Sequence, residues 1–165
     1  MSGQEVELRR EVFREDVEKM AAWMADAEVT AYLNEEQNID HKLQGLLAQS
    51  QLPIFSPHFN RDGSFFLITV PAAGPIGFMR LAAKEDKAEI VVVIGERRYW
   101  GNGYGYQAIR QGVRHAFFKW RKSRVVATIH RENSRSKKVF RQAGFSKAEE
   151  LTSETRFALP VEQFN

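Results

Sequence analysis

The alternating glycines in Trp100-Gly101-Asn102-Gly103-Tyr104-Gly105 form the part of the sequence whose residue types and spacing point most directly to chemistry. Glycine allows a tight turn and lets an anion approach the backbone without meeting a Cβ atom. Where such a loop enters a helix, unpaired N–H groups and the helix dipole favour negative charge. The run therefore predicts an anion cradle that suits a pyrophosphate. A tight strand-to-helix connection without a ligand is the competing interpretation.

The residues around this run argue against two other phosphate-binding patterns. Tyr106 follows Gly105, whereas a P-loop requires Lys and Ser/Thr at this point. A dinucleotide-binding loop ends in Gly-x-x-Gly within an early strand–helix–strand unit, and this run lies past the middle of the chain. Further positive charge lies nearby in sequence, at Arg97, Arg98 and residues 119–121.

The loop needs a rigid strand before it and a helix after it. The β-branched segment Ile90-Val91-Val92-Val93-Ile94 predicts a central strand that is buried on both faces. Apolar residues at helical spacing predict a long helix that runs to about Trp120. A later helix is predicted over residues 133–143, with Asn133 as its cap and Gly144 as its stop.

Strands and helices alternate along the rest of the chain. Strands are predicted at residues 6–12, 64–70, 76–82 and 124–129, and two short ones follow Phe145. Helices are predicted from Arg14 onward and over residues 39–51, and residues 53–60 are expected to form a loop that borders a pocket. This order predicts an α/β fold with a mixed sheet, in a single domain that spans residues 1–165.

Composition excludes several classes of protein. The 165 residues are 43% hydrophobic and carry a net charge of +3, which is too balanced for a nucleic-acid coat or a polybasic membrane anchor. Without cysteine there is no disulfide, thiolate metal site or cysteine nucleophile, and the four histidines lack metal-binding spacing. No secretion signal or run of about 18 apolar residues is present. We therefore expect no metal, no membrane association and a cytoplasmic location.

Two motifs resemble those of the GNAT superfamily of N-acetyltransferases. Residues 88–105 resemble its central acyl-CoA motif, whose pattern is Arg/Gln-x-x-Gly-x-Gly/Ala. Trp100 with Gly103 and Gly105 gives the preferred register, and Arg98 with Gly101 and Gly103 gives the other. The second motif, Asn133-x-x-Ser136-x-x-x-Phe140-x-x-x-Gly144-Phe145, is similar to the later helix of the superfamily. Weaker similarity links residues 14–33 and 156–160 to the branch that acetylates ribosomal-protein N-termini and polyamines.

The resemblance implies a fold, a cofactor and a binding surface. The fold is a mixed, mostly antiparallel central sheet flanked by about four helices, and the cofactor is acetyl-CoA. The glycine loop over residues 100–105 is implied to bind the pyrophosphate. The residues implied to bind it are Trp100, Gly101, Asn102, Gly103, Tyr104 and Gly105. The backbone near Val93 and Ile94 is implied to hold the thioester carbonyl and the pantetheine amides, and Asn133 and Phe140 are implied to line the pantetheine arm.

The resemblance also implies the catalytic roles. Glu89 matches a carboxylate that acts as general base on the attacking amine, and Glu96 is a second candidate. The superfamily often has Tyr at position 140 as the acid that protonates the coenzyme A thiolate, but Phe140 has no proton to donate. Ser136 on the same helix is then the candidate acid, and departure of the thiolate into water stays open.

These observations predict an N-acetyltransferase that acts on a primary amine, either a peptide N-terminus or a small amine of polyamine or aminoglycoside type. A monomer or a homodimer is expected, without nucleic acid. A non-catalytic acyl-CoA-binding or sensing domain on the same scaffold is the alternative, and Phe140 favours it. Nucleic-acid binding is a weaker third possibility, through a basic face of Arg110, Arg114, Lys119 and Arg121.

Overall fold

A computed structural model describes residues 5–33, 39–61 and 63–165. Within them a seven-stranded sheet has the order β1-β2-β3-β4-β5-β7-β6. The strands are β1 (Glu7–Arg9), β2 (Ser64–Val70), β3 (Gly74–Lys84), β4 (Lys87–Ile94), β5 (Arg124–His130), β6 (Ser146–Glu150) and β7 (Glu154–Pro160). Neighbouring strands are antiparallel except β4 and β5, which run parallel. This confirms the predicted mixed, mostly antiparallel sheet.

Six α-helices flank the sheet in the described part of the chain. Four have nine or more residues: α1 (Arg14–Met24), α3 (Ile39–Gln49), α5 (Tyr104–Arg114) and α6 (Ser134–Gln142). Two one-turn helices, α2 (Ala27–Thr30) and α4 (Ser56–Phe59), complete the set. Residues 53–60, predicted as a loop, therefore contain a short helix. No helix among the described residues is long and apolar enough to cross a membrane.

The sheet separates two apolar cores because alternate side chains of each strand point to opposite faces. Phe65 and Leu67 of β2 join a cluster with α1 and α3, whereas Phe66 and Ile68 join a cluster with α5 and α6. β2 is thus buried on both faces over nearly its whole length. The central strands are held firmly by this packing, and they fix the position of the loop that follows β4.

α1 is anchored by a buried carboxylate at its first turn. Asp16 is 3% exposed, and its Oδ2 accepts hydrogen bonds from the Phe13 N–H at 2.8 Å and from Arg9 Nη1 at 2.9 Å. The carboxylate therefore caps the helix and ties it to the last residue of β1. β1 itself is shorter than the predicted strand over residues 6–12.

Candidate functional site

The parallel strands β4 and β5 separate in the middle of the sheet. Their pairing ends at Glu89 and Val126, although β4 continues to Ile94 and β5 continues to His130. Strands that separate in this way leave backbone donors and acceptors unpaired on the two facing edges. A cavity of about 430 Å³ lies in the opening, and residues from β4, β5, β7 and α6 line it. This cleft is the candidate active site.

The far end of β4 bends at a bulge, beside a close approach to β3 that Gly77 makes possible. The Ile76 carbonyl accepts hydrogen bonds from two successive amides, the Gly95 N–H at 2.8 Å and the Glu96 N–H at 3.1 Å. A Cβ atom at Gly77 would lie 2.1 Å from the Val93 carbonyl oxygen, so β3 passes β4 too closely for any side chain. The close approach turns the chain out of β4 and into the glycine loop.

The glycine loop has the backbone geometry that an anion cradle requires. Gly101 and Gly103 have φ angles of +79° and +84°, in the left-handed region that favours glycine. Gly103 is the N-cap of α5, and the first amide bonded back to it is that of Gln107, which donates to the Gly103 carbonyl at 3.1 Å. The N–H groups of Tyr104, Gly105 and Tyr106 are therefore available at the positive end of the helix dipole.

The side chain of Trp100 braces this loop against β4. Its indole Nε1 donates to the Ile94 carbonyl at 2.8 Å, and the guanidinium of Arg135 lies 3.5 Å from its ring centroid. The Trp100 backbone N–H already donates to the Arg97 carbonyl at 3.0 Å. A turn of 3₁₀ helix at Arg97–Tyr99 thus uses the backbone N–H of Trp100, and its indole supplies the contact with β4.

Of the cations that adjacency in sequence suggested, Arg98 lies over the Tyr99 ring just before the loop, whereas the others are paired or distant. Arg97 forms an ion pair with Asp26 at 2.8 Å, and residues 119–121 lie beyond the other end of α5, roughly 22 Å along the helix axis. Arg135 stands beside the loop through its contact with the Trp100 ring, and desolvation lowers the pKa of its guanidinium. The sequence signal for it was its place between Asn133 and Ser136 in the second motif.

Burial acts to raise the pKa of Asp26, but two kinds of contact outweigh it. The Glu28 N–H and the Arg97 guanidinium both donate to the carboxylate, at 3.0 and 2.8 Å, and they hold the pKa of Asp26 below its ordinary value. Asp26 is the N-cap of α2, so this ion pair joins α2 to the residues that precede the glycine loop.

Of the two candidate bases, Glu89 lies in the cleft. Its side chain lines the cavity at the last paired position of β4, and its Oε1 is 2.9 Å from Lys84 Nζ. Glu96 accepts a hydrogen bond from the Trp23 indole at 2.7 Å and does not line the cavity. Trp23 also packs directly on Gly95, where a Cβ atom would lie 2.3 Å from the indole ring.

The second motif lines the opposite side of the same cavity. Asn133 caps α6, as predicted, and its Oδ1 accepts the Ser136 N–H at 3.2 Å. Asn133, Ser136 and Phe140 all line the cavity, and the ring of Phe140, only 4% exposed, packs edge-on against Phe145. Helical spacing therefore brings these three residues together as expected, with the Ser136 side chain half-buried.

Sequence reasoning missed the polar residues at the other end of the cavity. Arg80 of β3, His130 of β5, and Glu154 and Arg156 of β7 line it, together with Tyr32, whose ring lies 5.1 Å from that of His130. Desolvation lowers the pKa of Arg80. These residues come from four separate segments, so no local spacing marks them. The β5–β7 pairing, with Thr128 opposite Arg156 and His130 opposite Glu154, brings together the residues of these two strands, and the strand order adds Arg80 of β3.

Residues 7–146 match the family described as the acetyltransferase (GNAT) domain, and the chain belongs to that family. The chain is similar to an uncharacterized N-acetyltransferase named p20 from Bacillus licheniformis, with 24% identity over 84% of this chain and 78% of that protein. It is also similar to the uncharacterized N-acetyltransferase YoaA of Bacillus subtilis (strain 168), with 29% identity over the same shares. The protein is an acetyl-CoA-dependent acetyltransferase.

Solved structures share the fold. An acetyltransferase of the GNAT family from Bacillus anthracis superposes with a TM-score of 0.76 at 18% identity, covering 96% of each chain. Spermidine N-acetyltransferase from Vibrio cholerae, in complex with CoA and spermine, gives a TM-score of 0.78 at 15% identity, covering 96% of this chain and 97% of that one. At these identities the likeness establishes the architecture.

Proposed function

We propose that the protein transfers an acetyl group from acetyl-CoA to a primary amine by direct attack of the amine on the thioester. One observation carries this proposal: β4 separates from β5 after Glu89, continues to Ile94 and leads into the glycine loop, whose Trp100 indole bonds back to the Ile94 carbonyl. A loop with the geometry of an anion cradle thus follows directly on the strand that lines the cleft. The free acceptor amine is either a peptide N-terminus or a small amine.

The donor side is assigned to backbone groups. The loop of Gly101, Asn102 and Gly103 and the N–H groups of Tyr104 and Gly105 would bind the pyrophosphate, because they point donors and a helix dipole at one place. Gly105 adds room, since a Cβ atom there would only touch Val139 and Ile94, at 3.8 and 3.9 Å. Gly103 at the N-cap and Gly105 in the first turn support the motif register that starts at Trp100.

The pantetheine arm is assigned to the cleft itself. The β4 backbone at Val93 and Ile94 would hold the thioester carbonyl and the pantetheine amides. The backbone carbonyl of Ile94 already accepts a hydrogen bond from the Trp100 indole on the loop side. Asn133 and Phe140 would line the arm from α6. Acetyl-CoA supplies the thioester whose carbonyl carbon accepts the amine. Val93, Ile94, Asn133 and Phe140 would position and orient the thioester, and such positioning accounts for much of the rate of an acyl transfer.

Glu89 is assigned the general base and Ser136 the acid. Glu89 lines the cavity at the point where the strands separate, so its carboxylate can take a proton from the ammonium directly or through one water. Ser136 faces the same cavity from α6, and its hydroxyl has no hydrogen-bond partner among the described residues. It is therefore available to protonate the departing thiolate, a task that Phe140 cannot perform.

A thiol-release assay tests the proposal. The protein is incubated with acetyl-CoA and a panel of amines, and free coenzyme A is followed with a thiol reagent, while coenzyme A binding is measured separately by calorimetry. Release that depends on an amine is the expected result. Tight binding of coenzyme A without turnover on any acceptor would instead favour the non-catalytic sensing domain, which the absence of a tyrosine at position 140 supports.

A further inference from the structure

The acceptor end of the cleft cavity carries charges of both signs on one face of the sheet. Arg156 of β7 pairs with Thr128 of β5, and Glu89 of β4 pairs with Val126 two residues before it. Because paired residues and residues two apart share a face, Glu89 and Arg156 point to the same side. Both line the cavity, from strands that lie on either side of β5 in the sheet.

The Arg156 side chain is 34% exposed and lines the cavity, and its guanidinium carries an unsatisfied donor. Its Nη1 donates to Glu149 Oε1 at 2.9 Å, whereas its Nε is buried and has no hydrogen-bond partner in the described part of the chain. Buried donors nearly always have partners. Nε and Nη2 share one edge of the guanidinium, and this edge matches the two oxygens of a carboxylate. Glu149 is bonded at Nη1 and leaves this edge without a partner among the described residues.

We propose that Arg156 binds a carboxylate of the acceptor, so that the substrate is an amine that also carries a carboxylate, such as an amino acid or a short peptide. The proposal rests on the proposed acetyl transfer. Glu89 faces the ammonium end and Arg156 the carboxylate end of such a molecule. A polyamine has no carboxylate to offer Arg156, so it would leave the guanidinium without a partner, whereas its ammonium groups could contact only Glu89 and Glu154 among the carboxylates of the cavity.

Size agrees with this assignment. The cavity of about 430 Å³ has the volume of a sphere about 9 Å across, part of which the acetyl group and the end of the pantetheine arm would fill. Two residues of extended chain span roughly 7 Å. An amino acid or a dipeptide therefore fits between the two charged sides, with the amine near Glu89 and the carboxylate near Arg156.

The test compares each acid with its own amide. Rates of thiol release are measured for Ala-Ala and Ala-Ala-amide, for β-alanine and β-alaninamide, and for spermidine, with the wild-type protein and Arg156→Gln. The ratio of kcat/KM for acid over amide should fall about ten- to hundredfold in Arg156→Gln, the loss expected for a hydrogen-bonded ion pair. Comparing this ratio between proteins cancels the different basicity of the acid and amide amines.

Matched variants separate recognition from folding. Arg131→Gln removes an exposed arginine that pairs with Glu150 and does not line the cavity, and it should keep the wild-type ratio. Arg156→Lys keeps the positive charge but cannot form a bidentate contact with a carboxylate, and it should give an intermediate acid-over-amide ratio. Thermal unfolding checks that each variant is folded.

Two outcomes would overturn the proposal while leaving acetyl transfer intact: an unchanged ratio in Arg156→Gln, or a wild-type preference for amides or spermidine. If no amine is acetylated at all, the proposed transfer fails instead. Calorimetric titration of the same acid and amide pairs into the coenzyme A-saturated protein then decides the role of Arg156 by the ratio of their dissociation constants.

Discussion

Glu89 stands where the pairing of β4 and β5 stops, with its carboxylate beside the Lys84 ammonium. The two side chains are 36% and 57% exposed, and an exposed ion pair contributes little to stability. Glu89 can therefore be replaced without serious harm to the fold, so that a variant at this position reports on catalysis.

We expect Glu89→Gln to lower kcat by about a hundredfold or more, the usual contribution of a general base. The loss should be largest at low pH, because at high pH more of the acceptor is already free amine and needs no base. The measurement is a pH–rate profile from thiol release, with coenzyme A affinity unchanged. Glu85→Gln, in the exposed turn between β3 and β4, is the matched control. A variant whose pH–rate profile coincides with that of the wild type would remove Glu89 from the role.

Ser136→Ala should lower kcat by roughly tenfold if the hydroxyl assists the thiolate, a modest factor because thiols are acidic enough to leave with little help. α6 should be preserved, since the backbone N–H of residue 136 still bonds to Asn133. Ser134→Ala, at the exposed first position of the same helix, controls for general effects. Equal single-turnover rates for both variants and the wild type would mean that the thiolate leaves into water.

Some residues of the site can be predicted from local sequence patterns, and others cannot. Gly103, Asn133 and Ser136 belong to local patterns with fixed intervals, and their places in one cleft follow once each pattern forms its element. Arg156 and Arg80 lie on strands whose alternation looks ordinary. Their meeting depends on strand order and on the separation of β4 from β5, which no local interval encodes.

At the scale of elements, the entry into α5 depends on a backbone angle. Gly103 caps the helix with φ of +84°, and a Cβ atom there would meet nothing within 4 Å. The requirement at this position is therefore conformational. Gly74, the first residue of β3, has φ of +73° and equally open surroundings, and it does not line the cleft cavity.

This pair gives a controlled comparison. Gly103→Val and Gly74→Val should each destabilise the fold by about 1–2 kcal/mol, the cost of a side chain in the left-handed region. Only Gly103→Val should abolish coenzyme A binding, because it displaces the loop that presents the N–H groups. Chemical denaturation and calorimetry measure the two effects. Similar coenzyme A affinity in both variants would place the pyrophosphate site elsewhere.

The elements themselves were predicted well where packing is regular and less well near the cleft. α1, β2, β5 and α6 begin and end within a few residues of expectation. β4 was predicted to be buried on both faces, but Val91, Val92 and Ile94 are half-buried because β5 leaves their side. The long helix was predicted to run to about Trp120, whereas α5 ends at Arg114 and continues as a π-helical segment, His115–Lys119.

At the scale of the whole molecule, the sheet with helices on both faces supports our proposal that residues 1–165 form one domain. His115 lies at the joint between α5 and the π-helical segment, edge-on to Phe66 and Trp120. Burial lowers the pKa of His115, and the charges of Lys119 and Arg10 act in the same direction. Folding therefore favours the neutral form of the His115 imidazole.

A depressed histidine pKa makes the stability of the whole domain depend on pH. Below the ordinary imidazole pKa the unfolded chain takes up a proton at His115 more readily than the folded chain, so the free energy of unfolding should fall as pH is lowered. His115→Gln should reduce this slope, as measured by denaturant titration at several pH values between about 8 and 5. His41→Gln, at a side chain that is 78% exposed, should leave the slope as it is. Equal slopes in all three proteins would contradict the prediction.

The packing of Trp23 on Gly95 has an optical consequence. Two of the three tryptophans are bonded to the segment that leads into the glycine loop, Trp23 through Glu96 and Trp100 through the Ile94 carbonyl, while Trp120 sits at the far end of the helix. Any rearrangement of the loop on cofactor binding must change the surroundings of both indoles. The protein therefore carries its own fluorescent reporter, and Trp23→Phe and Trp100→Phe would separate its two signals without any attached dye.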